Sequence, residues 1–234
     1  MEDDLGRVSA PPDDTSSLRR TPNQRRSRER VEKILERATE LIAERGSDAM
    51  RMSEVARLSG ISIGSLYQYF PDKGAIIQTL AKRYNAQGRA CIEAALAPVR
   101  TTDELFEAFG ALIDEYYEMF LAEPVMRDIW LGTQTNKALN DIELAASRAN
   151  AAVLADTLTR LNPSADESAL AATTLLIMHL GEATMRLAIS VERTEGKELV
   201  IAYKRLALTE LRRIADGDGG TRPESRRQTP RKPR

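Results

Sequence analysis

Residues 52–73, MSEVARLSGISIGSLYQYFPDK, carry the pattern of two short helices joined by a tight turn. Ser53 can cap the first helix, because its hydroxyl can accept from a free backbone N–H. Gly60 suits the left-handed position that ends such a helix. Ser62 can cap the second helix, and Asp72 can cap a third after the break made by the preceding proline. The stretch therefore predicts a helix-turn-helix.

The second helix of this motif, predicted over 63–70, has an unusual outer face. At 100° per residue Ile63, Leu66 and Phe70 point inward. The opposite side carries small, polar and tyrosine residues in place of the usual Lys and Glu: Gly64, Ser65, Gln68 and Tyr69, with Tyr67 at the border. Gln can pair with adenine, Ser with several bases, and Tyr hydroxyls can donate to phosphates. The face favours entry into a DNA groove over the alternative, a purely structural corner.

Residues 27–87 resemble the N-terminal domain of the TetR family of bacterial one-component regulators. The most specific part of the match is the run Leu66-Tyr67-x-Tyr69-Phe70-x-x-Lys73. Further matching positions are Ala38 and Leu41 in the helix Val31 to Arg45, then Gly46, Ser53, Val55, Ala56, Gly60, Ile61, Ser62, Gly64, Ser65, Gln68, Ile76 and Ile77. The chain departs from the family at Ser53, where threonine is more usual, and at Gly74, where an acidic residue is common.

The resemblance implies which residues contact DNA. Those expected to approach bases are Ile63, Gly64, Ser65 and Gln68. Those expected to contact phosphates are Ser53, Tyr67, Tyr69 and Lys73. Ser62, the expected cap of the second helix, completes the predicted DNA-binding set.

The charge distribution separates two parts of the chain although the formal net charge is only −1. Residues 19–89 hold 15 Lys and Arg against 8 Asp and Glu, whereas residues 90–216 hold 12 against 20. This asymmetry is expected when only one module faces phosphates. Basic residues from Arg19 to Arg30 lead into the first long helix. They form either a solvated linker or an arm that follows the DNA backbone.

The sequence predicts an all-α protein, since no stretch shows sustained strand-like alternation. We expect four regions: a disordered tail over 1–24, a helix-turn-helix DNA-binding domain over 25–87, a helical ligand-binding and dimerisation domain over 88–216, and a basic disordered tail over 217–234. The predicted helices, about nine in number, span 28–45, 53–59, 63–70, 73–97, 102–122, 124–132, 137–161, 166–193 and 196–215. Asp103, Asp166 and Thr194 are the predicted caps of later helices.

The last two predicted helices carry apolar residues on most sides, which one module of this size cannot hide fully. A four-helix interface between two copies would cover them, and a monomeric bundle is the alternative. The predicted interface residues are Ala171, Leu175, Met178, Leu199, Ala202, Tyr203 and Leu206. Small residues, Gly181 and Ala188 among them, would let the helices approach closely. Two DNA-reading helices in one dimer would suit a near-palindromic operator.

The middle helices are rich in aromatic and methionine side chains, which line adaptable apolar pockets but also fill ordinary cores. The family resemblance implies a cavity for an inducer between these helices. The predicted ligand-binding residues are Phe109, Tyr116, Met119, Phe120, Met126, Trp130 and Met178. Few charges fall among them, so the expected effector is small and mainly apolar.

Other classes of function find little support in the sequence. No phosphate loop, nucleophile elbow or catalytic triad is present, so we expect no enzyme. With one His and one Cys we expect no metal site and no cofactor, and His179 is expected to be a core or interface residue. The N-terminus lacks an apolar signal segment and no stretch suits a membrane span, so a cytoplasmic location is expected. The alternative to a DNA-binding regulator is a dimeric helical interaction protein.

Overall fold

The computed structural model describes residues 16–132 and 136–217, and the backbone alone for residues 16–23. The helices of this part are α1 (Ser16–Arg45), α2 (Met52–Ser59), α3 (Ile63–Tyr69), α4 (Lys73–Leu96), α5 (Thr102–Ala122), α6 (Pro124–Leu131), α7 (Lys137–Leu161), α8 (Glu167–Ser190) and α9 (Arg193–Ala215). The same ranges contain no strand, which confirms the all-α prediction. Most of the helix bounds predicted from the sequence lie within a few residues of these.

Helix α1 begins at Ser16, twelve residues before its predicted start, so it includes residues 16–24 of the tail that we expected to be disordered. The arginine-rich segment favours helix because Arg has high helix propensity. An ion pair one turn apart, Arg25 to Glu29 at 3.3 Å, adds support. Residues 1–15 lie outside the described part of the chain, as do residues 218–234 of the predicted C-terminal tail.

Helices α1 to α3 pack around a small apolar core at the N-terminal end of the molecule. Ile34 and Ala38 of α1, Val55 of α2 and Leu66 of α3 are all buried at 1% exposure or less. Ile76 at the start of α4 closes this core. Helix α4 then continues without a break to Leu96, through the predicted domain boundary at 87–88. The DNA-binding part and the larger helical part therefore share one rigid helix.

Helices α5 to α9 form the larger part, in which α8 packs between α7 and α9, and α4 packs on α7. The expected caps hold at α4 and α8, where Asp72 accepts from Ala75 N and Asp166 from Ala169 N, both at 2.8 Å. Three cap predictions are wrong, because each predicted cap lies inside the first turn of its helix. The residue at the cap position of α2 is Arg51 instead of Ser53, that of α5 is Thr101 instead of Asp103, and that of α9 is Glu192 instead of Thr194. No described helix is long and apolar enough to cross a membrane.

Candidate DNA-binding face and ligand cavity

The turn between α2 and α3 holds α3 with one face outward. Gly60 adopts φ 69°, a left-handed conformation that a residue with a Cβ rarely takes. Ser62 then caps α3 by accepting a hydrogen bond from Ser65 N at 3.1 Å. Leu66 is completely buried and anchors the inner side of the helix. Both predicted turn features, the glycine and the serine cap, are confirmed.

The outer face of α3 exposes the residues predicted to approach bases. Gln68 and Gly64 are exposed, and Ser65 is half-buried. Ile63 is 42% exposed, so its predicted inward packing is wrong. A Cβ on Gly64 would meet no atom within 4 Å, so packing inside the chain does not explain a glycine there. A small residue on an open face is consistent with close approach of an external partner.

The residues predicted to contact phosphates surround this face. Tyr67 is 51% exposed beside it, and Ser53 is exposed on α2. A hydrogen bond with Arg30 of α1 lowers the pKa of the Tyr69 phenol. Lys73 uses its ammonium within the chain, where it donates to Ser47 O at 3.2 Å and Asp48 O at 3.0 Å. No local pattern in the sequence indicates this bond, because the α1–α2 turn is distant along the chain.

A carboxylate on α6 connects the larger helical part to the same α1–α2 turn. Asp128 Oδ2 accepts a hydrogen bond from Ser47 N at 3.0 Å. Helix α6 also carries Met126 and Trp130, whose side chains line the cavity described next. The turn beside the DNA-binding face is therefore joined through one short helix to the wall of a cavity.

A cavity of about 190 Å³ lies between α4, α5, α6, α7, α8 and α9. Six of the seven predicted ligand-binding residues line it: Phe109, Tyr116, Met119, Met126, Trp130 and Met178. The seventh, Phe120, lies behind the wall, where its ring packs edge-on against Tyr116 at 4.9 Å and Trp130 at 5.9 Å between ring centroids. Its complete burial makes it a support for the wall.

Other lining residues were not predicted because they lie on helices that carry no run of aromatic residues. Helix α4 contributes Tyr84 and Cys91, and α7 contributes Asn150. Helices α8 and α9 contribute Glu182, Met185 and Tyr203. Only the packing of six helices reveals that these residues share one wall.

A buried polar group borders the cavity. Glu143 and Ser147 of α7 face His179, Glu182 and Arg186 of α8, and Arg186 forms an ion pair with Glu143. Ser147 Oγ donates to Glu182 Oε2 at 3.0 Å and lies 3.2 Å from His179 Nδ1. Desolvation, together with the charge of Glu143, raises the pKa of Glu182 to about 8.

This arrangement bears on the expectation that the chain has no metal site. His179 is half-buried, and donor atoms of Glu143, His179 and Glu182 all lie within 4.8 Å of one another. One His and two Glu from facing helices are a donor set that a divalent metal ion can use. The sequence does not show this donor set as a motif, because Glu143 lies on α7 whereas His179 and Glu182 lie on α8. Absence of a metal stays a prediction.

Tyr203, predicted at the dimer interface, is 8% exposed and lies inside the chain. Its hydroxyl donates to Ile177 O at 2.7 Å. Gly181 makes room for it, since a Cβ there would stand 2.8 Å from the Tyr203 hydroxyl oxygen. Ala188 is also buried, so both small residues serve packing within one protomer instead of the predicted close approach of two.

The outer faces of α8 and α9 nevertheless expose large apolar side chains. Leu206 is 69% and Ile201 is 66% exposed on α9. On α8 the exposed leucines are Leu176, Leu180 and Leu187. Among the other predicted interface residues, Ala171 is exposed, and Leu175, Met178, Leu199 and Ala202 are half-buried. Met178 turns toward the cavity. Apolar patches of this kind are typical of interaction surfaces.

Comparison with known proteins places both parts of the chain in one family. Residues 34–80 match the family described as bacterial regulatory proteins, tetR family. Residues 103–215 match the tetracyclin repressor-like C-terminal domain. These ranges together span about two thirds of the chain.

Individual relatives agree with this assignment. An uncharacterized HTH-type transcriptional regulator of Bacillus subtilis, YvdT, is 38% identical over 53 residues, 23% of this chain and 27% of that protein. A TetR-family regulator from Streptomyces coelicolor shares the fold with a TM-score of 0.60. It is 24% identical, and the match covers 82% of this chain and 98% of that one. RolR in complex with resorcinol has a TM-score of 0.59 and 18% identity over 82% and 95% of the two chains.

Proposed function

The chain belongs to the TetR family of bacterial transcription regulators, with its helix-turn-helix DNA-binding domain, and we propose that it is a ligand-released repressor that binds its operator as a homodimer. The observation that carries this proposal is the physical connection between its two sites. The outer face of α3 is one, and the cavity is the other. Helices α4 and α6 run from the cavity wall to the helix-turn-helix.

We infer that α3 enters the major groove. Gln68 would pair with a base, and Ile63 would contact a thymine methyl group. Gly64 would allow the backbone to approach closely. The register would be held through phosphates and neighbouring base edges by Ser53, Ser62, Ser65, Tyr67 and Tyr69. Lys73 would support this face by holding the α1–α2 turn.

We further propose that two protomers join through the exposed apolar faces of α8 and α9. Leu206 and Ile201 would then be buried against the partner, as would Leu176 and Leu180. A two-fold dimer presents two α3 helices to one side of the duplex. Such a dimer suits a near-palindrome whose half-sites lie about one helical turn apart.

The proposed release mechanism is a shift between two populations of the dimer. A small, mainly apolar effector in the cavity would contact Tyr84 of α4 and Met126 and Trp130 of α6. If it binds a conformation in which α4 has swung, the two α3 helices no longer fit one turn of DNA. The effector can shift the equilibrium only by its difference in affinity for the two states.

Selection of bound duplexes from a random pool, repeated at two salt concentrations, tests the proposed function. We expect an enriched near-palindrome whose binding falls steeply with salt, because each neutralised phosphate releases counterions. Binding without enrichment would contradict sequence-specific regulation. Absence of binding at low salt would support the alternative, a helical interaction protein.

A further inference from the structure

Beside the polar end of the cavity lie two buried carboxylates and the half-buried guanidinium of Arg186. Glu143 is 4% and Glu182 is 6% exposed. Arg186 forms its ion pair with Glu143, which does not line the cavity. Glu182 does line it, and among the described residues no Lys or Arg forms an ion pair with Glu182. The carboxylate that faces the cavity is thus the one that forms no ion pair with a Lys or Arg of the described chain.

Charge balance at this end restricts what the cavity can bind. An isolated buried charge costs several kcal/mol by order of magnitude, so buried charges are normally paired or neutralised. The charge of Arg186 is balanced by Glu143 in their ion pair, so an ionised Glu182 adds a negative charge beside the cavity. A bound monovalent cation would balance an ionised Glu182. A divalent metal ion would leave one excess positive charge beside Arg186.

The remaining wall suits the body of an organic cation. Tyr84, Tyr116 and Trp130 place aromatic rings around the space, and ring faces attract cations. Asn150 is about nine-tenths buried and lines the cavity, and its Oδ1 has no hydrogen-bond partner among the described residues. That oxygen can accept from an N–H group. No Lys or Arg of the described chain lines the cavity, which argues against an anionic ligand.

Size sets a further limit. A dry cavity of about 150 Å³ can hold benzene, and this one measures about 190 Å³. The space therefore accommodates one ring with a short substituent. The other carboxylate of the lining, Glu115, is exposed, so solvent screens its charge.

We propose that the effector is a small organic ammonium ion with a one-ring body, held by the Glu182 carboxylate and the Asn150 side-chain oxygen. This inference rests on the proposed function only in taking the cavity as the effector site. It adds one positive charge to an otherwise apolar effector. Glu182 is ionised in this complex, so any proton that it holds in the empty cavity leaves to solvent when the cation binds.

The test compares two probes of nearly equal shape, benzylamine and benzyl alcohol, on the full chain. Trp130 is the sole tryptophan and lines the cavity, so its fluorescence reports occupancy, with calorimetry as a second measure. We expect benzylamine to bind roughly tenfold or more tightly than benzyl alcohol, the ratio of one charge-assisted hydrogen bond. Glu182→Gln should remove this preference yet still bind benzyl alcohol, which shows that the cavity is intact.

Glu118→Gln is the matched control, because Glu118 is exposed on α5 and does not line the cavity; it should keep the preference. Equal binding of the two probes to the wild type would overturn the proposal, as would a preference that survives Glu182→Gln. If Zn²⁺ binds to the protein and benzylamine does not, the proposal is overturned, and Glu143, His179 and Glu182 form a metal site instead. Duplex affinity without ligand is measured separately, so a failure of DNA binding remains distinguishable.

Discussion

At the scale of single residues, the proposed specificity for DNA depends on a few side chains of α3. Leu66 and Phe70 fix the helix from inside at 0% and 5% exposure. Gln68 and Tyr67 are free to reach outward. The same short segment thus separates buried anchoring residues from the exposed residues that are proposed to contact DNA.

Gln68→Ala should relax base preference at one position in each half-site. A bidentate pairing contributes about 1–3 kcal/mol of discrimination. Titration of the selected duplex and its single-base variants measures this. The preference at that position should fall while the other positions keep theirs. A uniform loss across all duplexes would instead make Gln68 a phosphate contact.

Glu182 should make the stability of the protein depend on pH. Its folded pKa is raised from the ordinary 4.5 to about 8, so the folded state binds more protons between those values. The free energy of unfolding should therefore fall as pH rises through this window, by at most about 1.4 kcal/mol per pH unit. Denaturant titrations at pH 5, 6, 7 and 8 should show this slope reduced in Glu182→Gln. An identical slope in both proteins would contradict the assignment.

The sequence predicted the turn before α3 and the anchoring of this helix well, because the features that define them are local. The glycine turn, the serine cap and the buried leucine lie within a few residues of one another. Contacts between residues that are distant along the chain could not be predicted from the sequence. Lys73 was predicted on a phosphate, yet its ammonium bonds the carbonyl oxygens of Ser47 and Asp48. The pairing of Glu182 with residues of α7 likewise depends on how two helices face each other.

At the scale of elements, α6 connects the cavity wall to the α1–α2 turn. Its eight residues place Met126 and Trp130 on the cavity wall and Asp128 on the α1–α2 turn. A rigid helix of this length moves as one body. A ligand that displaces one side of α6 would therefore move the other.

Asp128→Ala should loosen the α1–α2 turn, whereas Asp128→Asn should not, because asparagine keeps an acceptor for Ser47 N. The lost hydrogen bond is worth about 1 kcal/mol. Hydrogen exchange of the Ser47 amide should be faster in the alanine variant alone. Operator affinity should weaken in parallel. Equal exchange in both variants would show that the turn does not depend on this contact.

Helix boundaries show where element prediction fails. Helix α5 begins with a capping box between Thr101 and Glu104, so Asp103 falls inside the first turn. Several adjacent residues could cap there, and only the backbone path decides among them. By contrast, the all-α class followed from periodicity over long segments, which is the more robust signal.

At the scale of the whole molecule, the exposed apolar faces of α8 and α9 are the feature that one chain leaves unsatisfied. The prediction that one module cannot cover both helices agrees with the exposure of Ile201 and Leu206. Prediction of individual contacts was less successful, because Tyr203 and Gly181 pack inside the protomer. An apolar residue in a helical sequence does not itself reveal which neighbour covers it.

Leu206→Glu should therefore produce a monomer, because it buries an unpaired charge in the proposed interface. Ala111→Glu is the control, since Ala111 is exposed on α5. Sedimentation should give a dimer for wild type and control and a monomer for Leu206→Glu, with helical content unchanged. A dimeric Leu206→Glu would place the interface elsewhere.

The central claim is that two protomers bind one near-palindrome together. Titration of the selected duplex against a duplex with one half-site scrambled tests it most directly. Each mismatch costs about 1–3 kcal/mol, so several in one half-site should weaken binding by more than about 100-fold. The account predicts that loss, with two protomers bound per intact duplex. Equal affinity for both duplexes would contradict it.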